Sequence, residues 1–474
     1  MNDHRPRRPS RPRGSRPPQR RNGPARPPAQ DPARMAALET LRAVRERDAY
    51  ANLTLPALLR QRKIQGRDAG LATELAYGAC RARGLLDAVI GECSGRPVSE
   101  VDPTTLDALR LGVYQLLRTR IPDHAAVAST VDMVRGEAGS KLAGFANAVL
   151  RRAGERDEQQ WIDELAPDRA KDPVGHLALR YAHPRWVAQA FADVLGDTGD
   201  ELAAALAADD ARPAVHLTAR PGEISADELA AITGGDPAPY SPYGVHLEAG
   251  SGDPGDLEPV REGFAAVQDE GSQLAALALS KPELTGPDSR WLDLCAGPGG
   301  KAALLGALVT LDGGELDAVE QSEHRADLVR RVTRDLSVRV HVADGREPGL
   351  EPGYDRVLVD APCTGLGALR RRPEARWRRQ PSDLPELAKL QRSLLLSAVQ
   401  LARPGGIVAY VVCSPHLSET EGVVSDVVRR TGAEQLDARE AFPGVPQLGD
   451  GPGVQLWPHR HGTDAMFCAL LRVA

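Results

Sequence analysis

Lysine is scarce in this chain, occurring only at positions 63, 141, 171, 281, 301 and 389. Arginine supplies nearly all the remaining positive charge, a usage that reflects codon bias and carries no functional signal. Cysteine is also sparse: the six at 80, 93, 295, 363, 413 and 468 form no CxxC pair and no zinc spacing. That excludes a disulfide scaffold and a metal module, so no metal is expected, and free thiols fit a cytoplasmic chain. No apolar run is long enough to span a bilayer, and the N-terminus lacks the apolar core of a signal peptide. Neither membrane insertion nor secretion is expected.

What is present is 474 residues with 42% hydrophobic content, enough for two or three domains with separate cores. The net charge of −6 is uneven, because residues 1–30 hold nine arginines against the single acid Asp3. Residues 1–32, rich in Pro, Arg and Gly, are expected to form a disordered basic tail. Such a tail either attracts a phosphate backbone or simply solubilises the chain.

Residues 33–153 show apolar positions at three- and four-residue spacing, as in Leu106, Leu109, Val113, Leu116 and Leu117, which predicts an all-helical bundle. Asp102 and Asp123 stand where N-caps belong. Residues 154–173 are charged and are expected to form a linker. Residues 174–262 alternate short helical and strand-like segments and predict a small α/β insert. The remaining 263–474 is expected to be the catalytic domain.

That last region is organised around Trp291-Leu-Asp-Leu-Cys-Ala-Gly-Pro-Gly-Gly-Lys301, a buried strand, a glycine turn and a helix start. Gly297, Gly299 and Gly300 let backbone N–H groups approach a nucleotide-like guest. Three further segments end in or beside acids, Glu320, Asp344 and Asp360, on the carboxyl edge where open α/β sheets bind ligands. Lys301 stands in a first helical turn, where a cation is disfavoured, and is expected to meet an anion, either a cofactor carboxylate or an RNA phosphate. Cys363, in Asp360-Ala-Pro-Cys-Thr-Gly365, and Cys413, in Val412-Cys-Ser-Pro415, follow strands whose loops can meet over one cleft. A nicotinamide oxidoreductase would require a GxGxxG turn, which Cys295-Ala-Gly-Pro-Gly-Gly300 does not supply.

The motifs Arg110-Leu-Gly-Val-Tyr-Gln-Leu-Leu117, Ala125-Ala-Val127 and Phe145-Ala-Asn-Ala-Val-Leu-Arg151 resemble the NusB fold, an RNA-binding module. Arg110 and Asn147 themselves are expected to tie helices together. From about Gln268 onward the loops resemble the RNA cytosine-5 methyltransferases of the RsmB/NOP family, and the helical domain in front points to the branch acting on small-subunit (16S) ribosomal RNA. The fold implied is an all-α NusB-like bundle followed by a Rossmann-like S-adenosylmethionine-dependent methyltransferase domain.

The resemblance implies specific roles. Cys413 attacks C6 of cytosine, Cys363 assists release, and Asp360 hydrogen-bonds the base. S-Adenosylmethionine is held by Cys295, Ala296, Gly297, Pro298, Gly299, Gly300, Lys301 and Asp360, with Glu320 on the ribose and Asp344 by the adenine. The basic strip Arg370, Arg371, Arg372, Arg376, Trp377 and Arg378 is expected to bind RNA, Trp377 either stacking on a base or packing the loop down. Transfer RNA as substrate and a non-catalytic RNA-binding factor are the competing expectations. DNA cytosine methylation is disfavoured, because those enzymes have no counterpart to Cys413. No obligate protein partner is evident.

Overall fold

The computed structural model describes residue 1 and residues 31–248 and 252–474; the predicted tail lies almost wholly outside the described residues. Helices α1 (Pro32–Arg47), α2 (Ala51–Arg62), α3 (Gly66–Ser94), α4 (Pro103–Arg118), α5 (Asp123–Ala138) and α6 (Ser140–Ala153) form the leading bundle. Asp31 caps α1 by accepting from the N–H groups of Ala33 and Arg34, and Asp102 caps α4 through Thr105. Asp123 is not a cap: α5 begins with it, after Pro122. Leu38, Leu75, Leu86, Leu109 and Leu150 are fully buried between the helices. At Gly78 a Cβ would lie 2.0 Å from the Tyr114 ring, so α3 and α4 can pack this closely only around glycine. Arg110 on α4 donates to both carboxylate oxygens of Asp87 on α3, at 2.7 and 2.9 Å.

The expected linker is partly helical. α7 (Glu158–Leu165) opens on a capping box made by Asp157 and Gln160, and Trp161 is buried in the bundle core, its indole N–H donating to the Ala153 carbonyl. The charged surface of this segment hid one buried tryptophan face.

The expected α/β insert divides in two. Helices α8 (Pro173–Arg180), α9 (Arg185–Leu195) and α10 (Asp200–Asp210) share a core with Leu366, Leu369, Trp457 and Ala465 from the far end of the chain. After them come β1 (Val215–Ala219), α11 (Ala226–Thr233), β2 (Asp236–Pro237), β3 (Gly244–Leu247), α12 (Glu258–Glu262) and β4 (Ala265–Val267). The four strands make an antiparallel sheet in the order β2-β3-β1-β4. β4 therefore belongs to this sheet, and the predicted boundary at 262 cuts it off from its partner.

The larger sheet follows, built from β5 (Arg290–Asp293), β6 (Glu315–Glu320), β7 (Val338–Val342), β8 (Tyr354–Asp360), β9 (Ala402–Val412), β10 (Glu434–Leu436), β11 (Val454–Gln455) and β12 (Phe467–Arg472). Its order is β10-β12-β9-β8-β5-β6-β7, with β11 beside β12. The strands from β7 to β9 run parallel and β12 returns antiparallel against β9. α13 (Glu270–Ala278) leads into β5, and between the strands run α14 (Gly300–Leu311), α15 (Glu323–Val332), α16 (Leu384–Leu401), α17 (Glu421–Thr431) and α18 (Pro458–His461). The chain leaves β5 in one direction to β6 and β7 and in the other to β8 and β9. This reversal opens a crevice at the carboxyl end of β5.

The segment after β8 locks these bodies together through Arg376. Its guanidinium is fully buried, pairs with Asp209 and Asp210 at 3.4 and 3.2 Å, and donates to the carbonyls of Arg81 and Asp209. One side chain thus joins α3, α10 and the catalytic loop. Removing one partner of a buried ion cluster strands the other charges. Arg376→Met is expected to lower stability by about 3–5 kcal/mol in denaturant unfolding; a loss below about 1 kcal/mol would show that packing alone holds this interface.

Candidate active site

The turn after β5 brings backbone against the next strand's acid. At Gly297 a Cβ would meet the Glu320 carboxylate at 2.2 Å, and the Gly297 N–H donates to Glu320 Oε2 at 3.1 Å. Glu320 Oε1 accepts from the Ser322 N–H, so this acid at the end of β6 is fixed in orientation. Asp344, just past β7, is held by Arg346. Lys301 does meet an anion within the chain: its ammonium pairs with Asp360 Oδ2 at 2.8 Å. Burial lowers the pKa of Lys301, and the adjacent Asp360 carboxylate outweighs burial and raises it.

Two buried acceptors in this crevice have no donor among the described residues. They are Asp293 Oδ2, at the end of β5, and Gln268 Oε1, whose side chain lies by Gly300. Burial, reinforced by the Asp360 charge, pushes the Asp293 carboxyl up to about 7. A guest carrying an ammonium group and ribose hydroxyls supplies the donors these atoms lack. The residues present therefore fit S-adenosylmethionine. The expected set omitted Asp293, although its signal was visible as an acid at the end of an apolar strand, two residues before Cys295.

The loops after β8 and β9 bring Cys363 and Cys413 together with a sulfur–sulfur distance of 3.4 Å. Both are partly buried free thiols. The hydrogen bond between them lowers the pKa of Cys413, with Lys301 and Arg372 assisting against burial and the Asp360 charge. The same bond, with burial, raises Cys363 well above the ordinary thiol range. Of the two, Cys413 therefore ionises the more readily and Cys363 holds its proton the more tightly. Cys295, on the glycine turn, is pushed up by burial and the surrounding acids and stays a thiol.

The strip from Arg370 to Arg378 does not form the expected basic face. Arg370 and Arg371 both pair with Asp269 and Asp464, and Arg376 is the interdomain lock described above. Trp377 packs against α3, where a Cβ on Gly84 would lie 2.5 Å from its ring. Arg378 donates to the Ala49 carbonyl. These side chains are committed to carboxylates, carbonyls and packing, which corrects the expectation that they bind RNA. Of the six, Arg372 alone is exposed, its guanidinium 5.4 Å from the Tyr50 ring centre.

Comparison with known proteins decides the family. The model for the 16S rRNA methyltransferase RsmB/F matches residues 282–472, and that for the NusB family matches residues 31–155. Ribosomal RNA small subunit methyltransferase B of Pseudomonas putida is 34% identical over 457 residues, covering 93% of this chain and 98% of its own. The chain belongs to the RsmB/F family.

A Mycobacterium tuberculosis H37Rv protein, whose name assigns a methyltransferase without a substrate, is 62% identical over 454 residues, covering 96% of this chain and 99% of its own. Among solved structures, PH0851 superposes with a TM-score of 0.77 at 23% identity, over 93% of this chain and 98% of its own. NSun6 from Pyrococcus horikoshii gives 0.51 at 20% identity, over 61% of this chain and 98% of its own. At these identities the structural likeness shows the fold alone. As an RsmB/F member the chain is an S-adenosylmethionine-dependent ribosomal RNA methyltransferase. No helix among the described residues is long and apolar enough to cross a membrane.

The raised Asp293 carboxyl carries a stability signature. Between the ordinary carboxylate range and about 7 the folded chain holds a proton that the unfolded chain has released, so this group's contribution to stability falls as pH rises through that window. Asp293→Asn removes the titration. The variant's melting temperature relative to wild type is expected to climb between about pH 5 and about pH 8; a constant difference would mean that Asp293 titrates normally.

Proposed function

We propose that this RsmB/F protein methylates C5 of a cytosine in 16S ribosomal RNA, with Cys413 as nucleophile and Cys363 assisting release, in the cytoplasm. The observation that carries the proposal is the thiol pair at 3.4 Å with opposed proton affinities, beside the Lys301–Asp360 ion pair.

C5 of cytosine is a poor nucleophile until a thiolate adds to C6. Cys413 is the thiol poised to ionise; its sulfur forms the bond to C6 and the ring electrons shift towards N3. N3 takes up a proton from solvent as the electrons arrive; Asp360, oriented by Lys301, faces the base there and accepts a hydrogen bond from the resulting N3–H. C5 is then enamine-like. S-Adenosylmethionine, when bound, supplies an electrophilic sulfonium methyl group. Cys295, Ala296, Gly297, Pro298, Gly299, Gly300 and Lys301 would surround its methionine part, Glu320 would take the ribose hydroxyls, and Asp344 would lie by the adenine. Asp293 and Asp360 add acceptors on the same wall. After transfer, a base takes the C5 proton, the C5–C6 double bond re-forms and the Cys413 thiolate departs. Cys363, which keeps its proton, donates a hydrogen bond to that leaving sulfur.

The RNA reaches this cleft past Arg372, the exposed cation of the strip, and the NusB-like bundle supplies a second RNA contact. Recognition of 16S rather than another RNA rests on family membership and on that bundle.

The test is a denaturing-gel assay for a protein–RNA adduct with small-subunit ribosomal RNA and S-adenosylmethionine. Cys363→Ala is expected to accumulate a covalent adduct, and Cys413→Ala to form none and to lose methyl transfer by at least about a thousandfold. If Cys413→Ala retains activity, the nucleophile is misassigned. If wild type methylates transfer RNA and not ribosomal RNA, the chemistry stands and the substrate does not.

A further inference from the structure

We propose that Glu419 is a positioning residue that sets the separation of the two active-site thiols. The inference rests on the two-cysteine reaction proposed above. Glu419 lies between β9 and α17, six residues after Cys413, and is fully buried. Its carboxylate accepts from four groups. Oε1 takes the Thr364 N–H at 2.8 Å and the Gln391 amide at 3.0 Å; Oε2 takes the Thr364 hydroxyl and, at 2.6 Å, the Ser414 hydroxyl.

Thr364 directly follows Cys363, and Ser414 directly follows Cys413. One carboxylate therefore grips the residue next to each thiol, and the two hydroxyls it holds lie 3.1 Å apart. Gln391 extends the grip, since its amide also donates to the Pro362 carbonyl, on the other side of Cys363. Glu419 is in turn held by the Tyr410 hydroxyl, which donates to its carbonyl at 2.7 Å. Burying a carboxylate is costly unless its lone pairs are filled. A buried acid whose donors are so placed fixes two loops relative to each other, and the sulfur–sulfur distance follows from where those loops stop.

The clamp can be tested without RNA. Diamide converts two adjacent thiols to a disulfide, taking up both hydrogens as it is reduced to the hydrazine, at a rate that depends on how well the sulfurs are held together. The wild-type chain is expected to close Cys363–Cys413 rapidly, read by peptide mass spectrometry. Glu419→Ala is expected to slow closure on the order of tenfold. Glu419→Gln, which can still accept the Thr364 N–H and donate to the hydroxyls, is expected to restore most of it. With RNA and S-adenosylmethionine, Glu419→Ala is expected to accumulate the covalent adduct with both cysteines intact, as Cys363→Ala does.

A folded Glu419→Ala chain that closes the disulfide at the wild-type rate overturns the proposal. Should that variant not fold, Ser414→Ala and Thr364→Val each remove one arm of the clamp; slower closure in either supports the proposal, and wild-type rates in both overturn it. If closure slows but Cys363→Ala forms no adduct with any RNA and wild type transfers no methyl group, the clamp stands and the cytosine reaction fails.

Discussion

Parallel pairing of β8 with β9, in the register that sets Asp360 against Val411, turns two cysteines fifty positions apart into one chemical unit. Each strand runs to the same edge and each releases a loop there, so the thiols converge without any contact between them having to drive the convergence. The Gly367 N–H, which donates to the Cys413 carbonyl at 2.9 Å, carries the pairing a few residues beyond the strands. At Gly367 a Cβ would lie 1.8 Å from the Ala465 carbonyl oxygen, so the loop also presses on the segment that leads into β12. The edge of the sheet is thereby closed around the cysteines on the side away from the cofactor crevice.

Charge is distributed unequally across that edge. Asp293, Glu320 and Asp360 converge on the crevice, and Lys301 is the buried cation among them. Lys301 answers Asp360 directly. Asp293 has no ion-pair partner among the described residues, and burial, outweighing the more distant Lys301, raises its proton affinity. The excess of acceptors over donors suits a cofactor that arrives with a positive sulfonium and an ammonium. Burial, reinforced by the same field, disfavours a thiolate at Cys295 and pushes it up. Cys413 escapes through the proton held on Cys363 and the cations Lys301 and Arg372.

What was legible in the sequence was local. The glycine turn, the strand-end acids and the two cysteine loops each occupy a few consecutive residues, and their chemistry is set by backbone they carry with them. The helical bundle was legible for the same reason, because its periodicity is repeated over many turns. The basic strip was misread because the fate of an arginine is decided by carboxylates remote in sequence: Asp209 and Asp210 for Arg376, Asp269 and Asp464 for Arg370 and Arg371. Glu419 gave no signal for the converse reason, since a lone acid before a helix is indistinguishable from a cap until Thr364 and Ser414 are seen beside it. Strand β4 fell on the wrong side of the predicted boundary because three residues carry no record of their partner.

The misread strip has a positive meaning. The loop that carries Cys363 continues into Arg370, Arg371, Arg376 and Trp377, and these bind it to the small sheet's flank at Asp269, to α10 and to α3. The loop is thus shared among the helical bundle, the α8–α10 layer and the catalytic sheet, and its position is a property of all three. Buried ion pairs of Arg376 and the packed Trp377 make one continuous route from the bundle and α10 to the loop of Cys363. The exposed Arg372, stacked on Tyr50 from the bundle and close enough to Cys413 to favour its thiolate, lies on that route. The arginines that turned away from solvent therefore couple the domain that resembles an RNA binder to the cleft where the two cysteines meet.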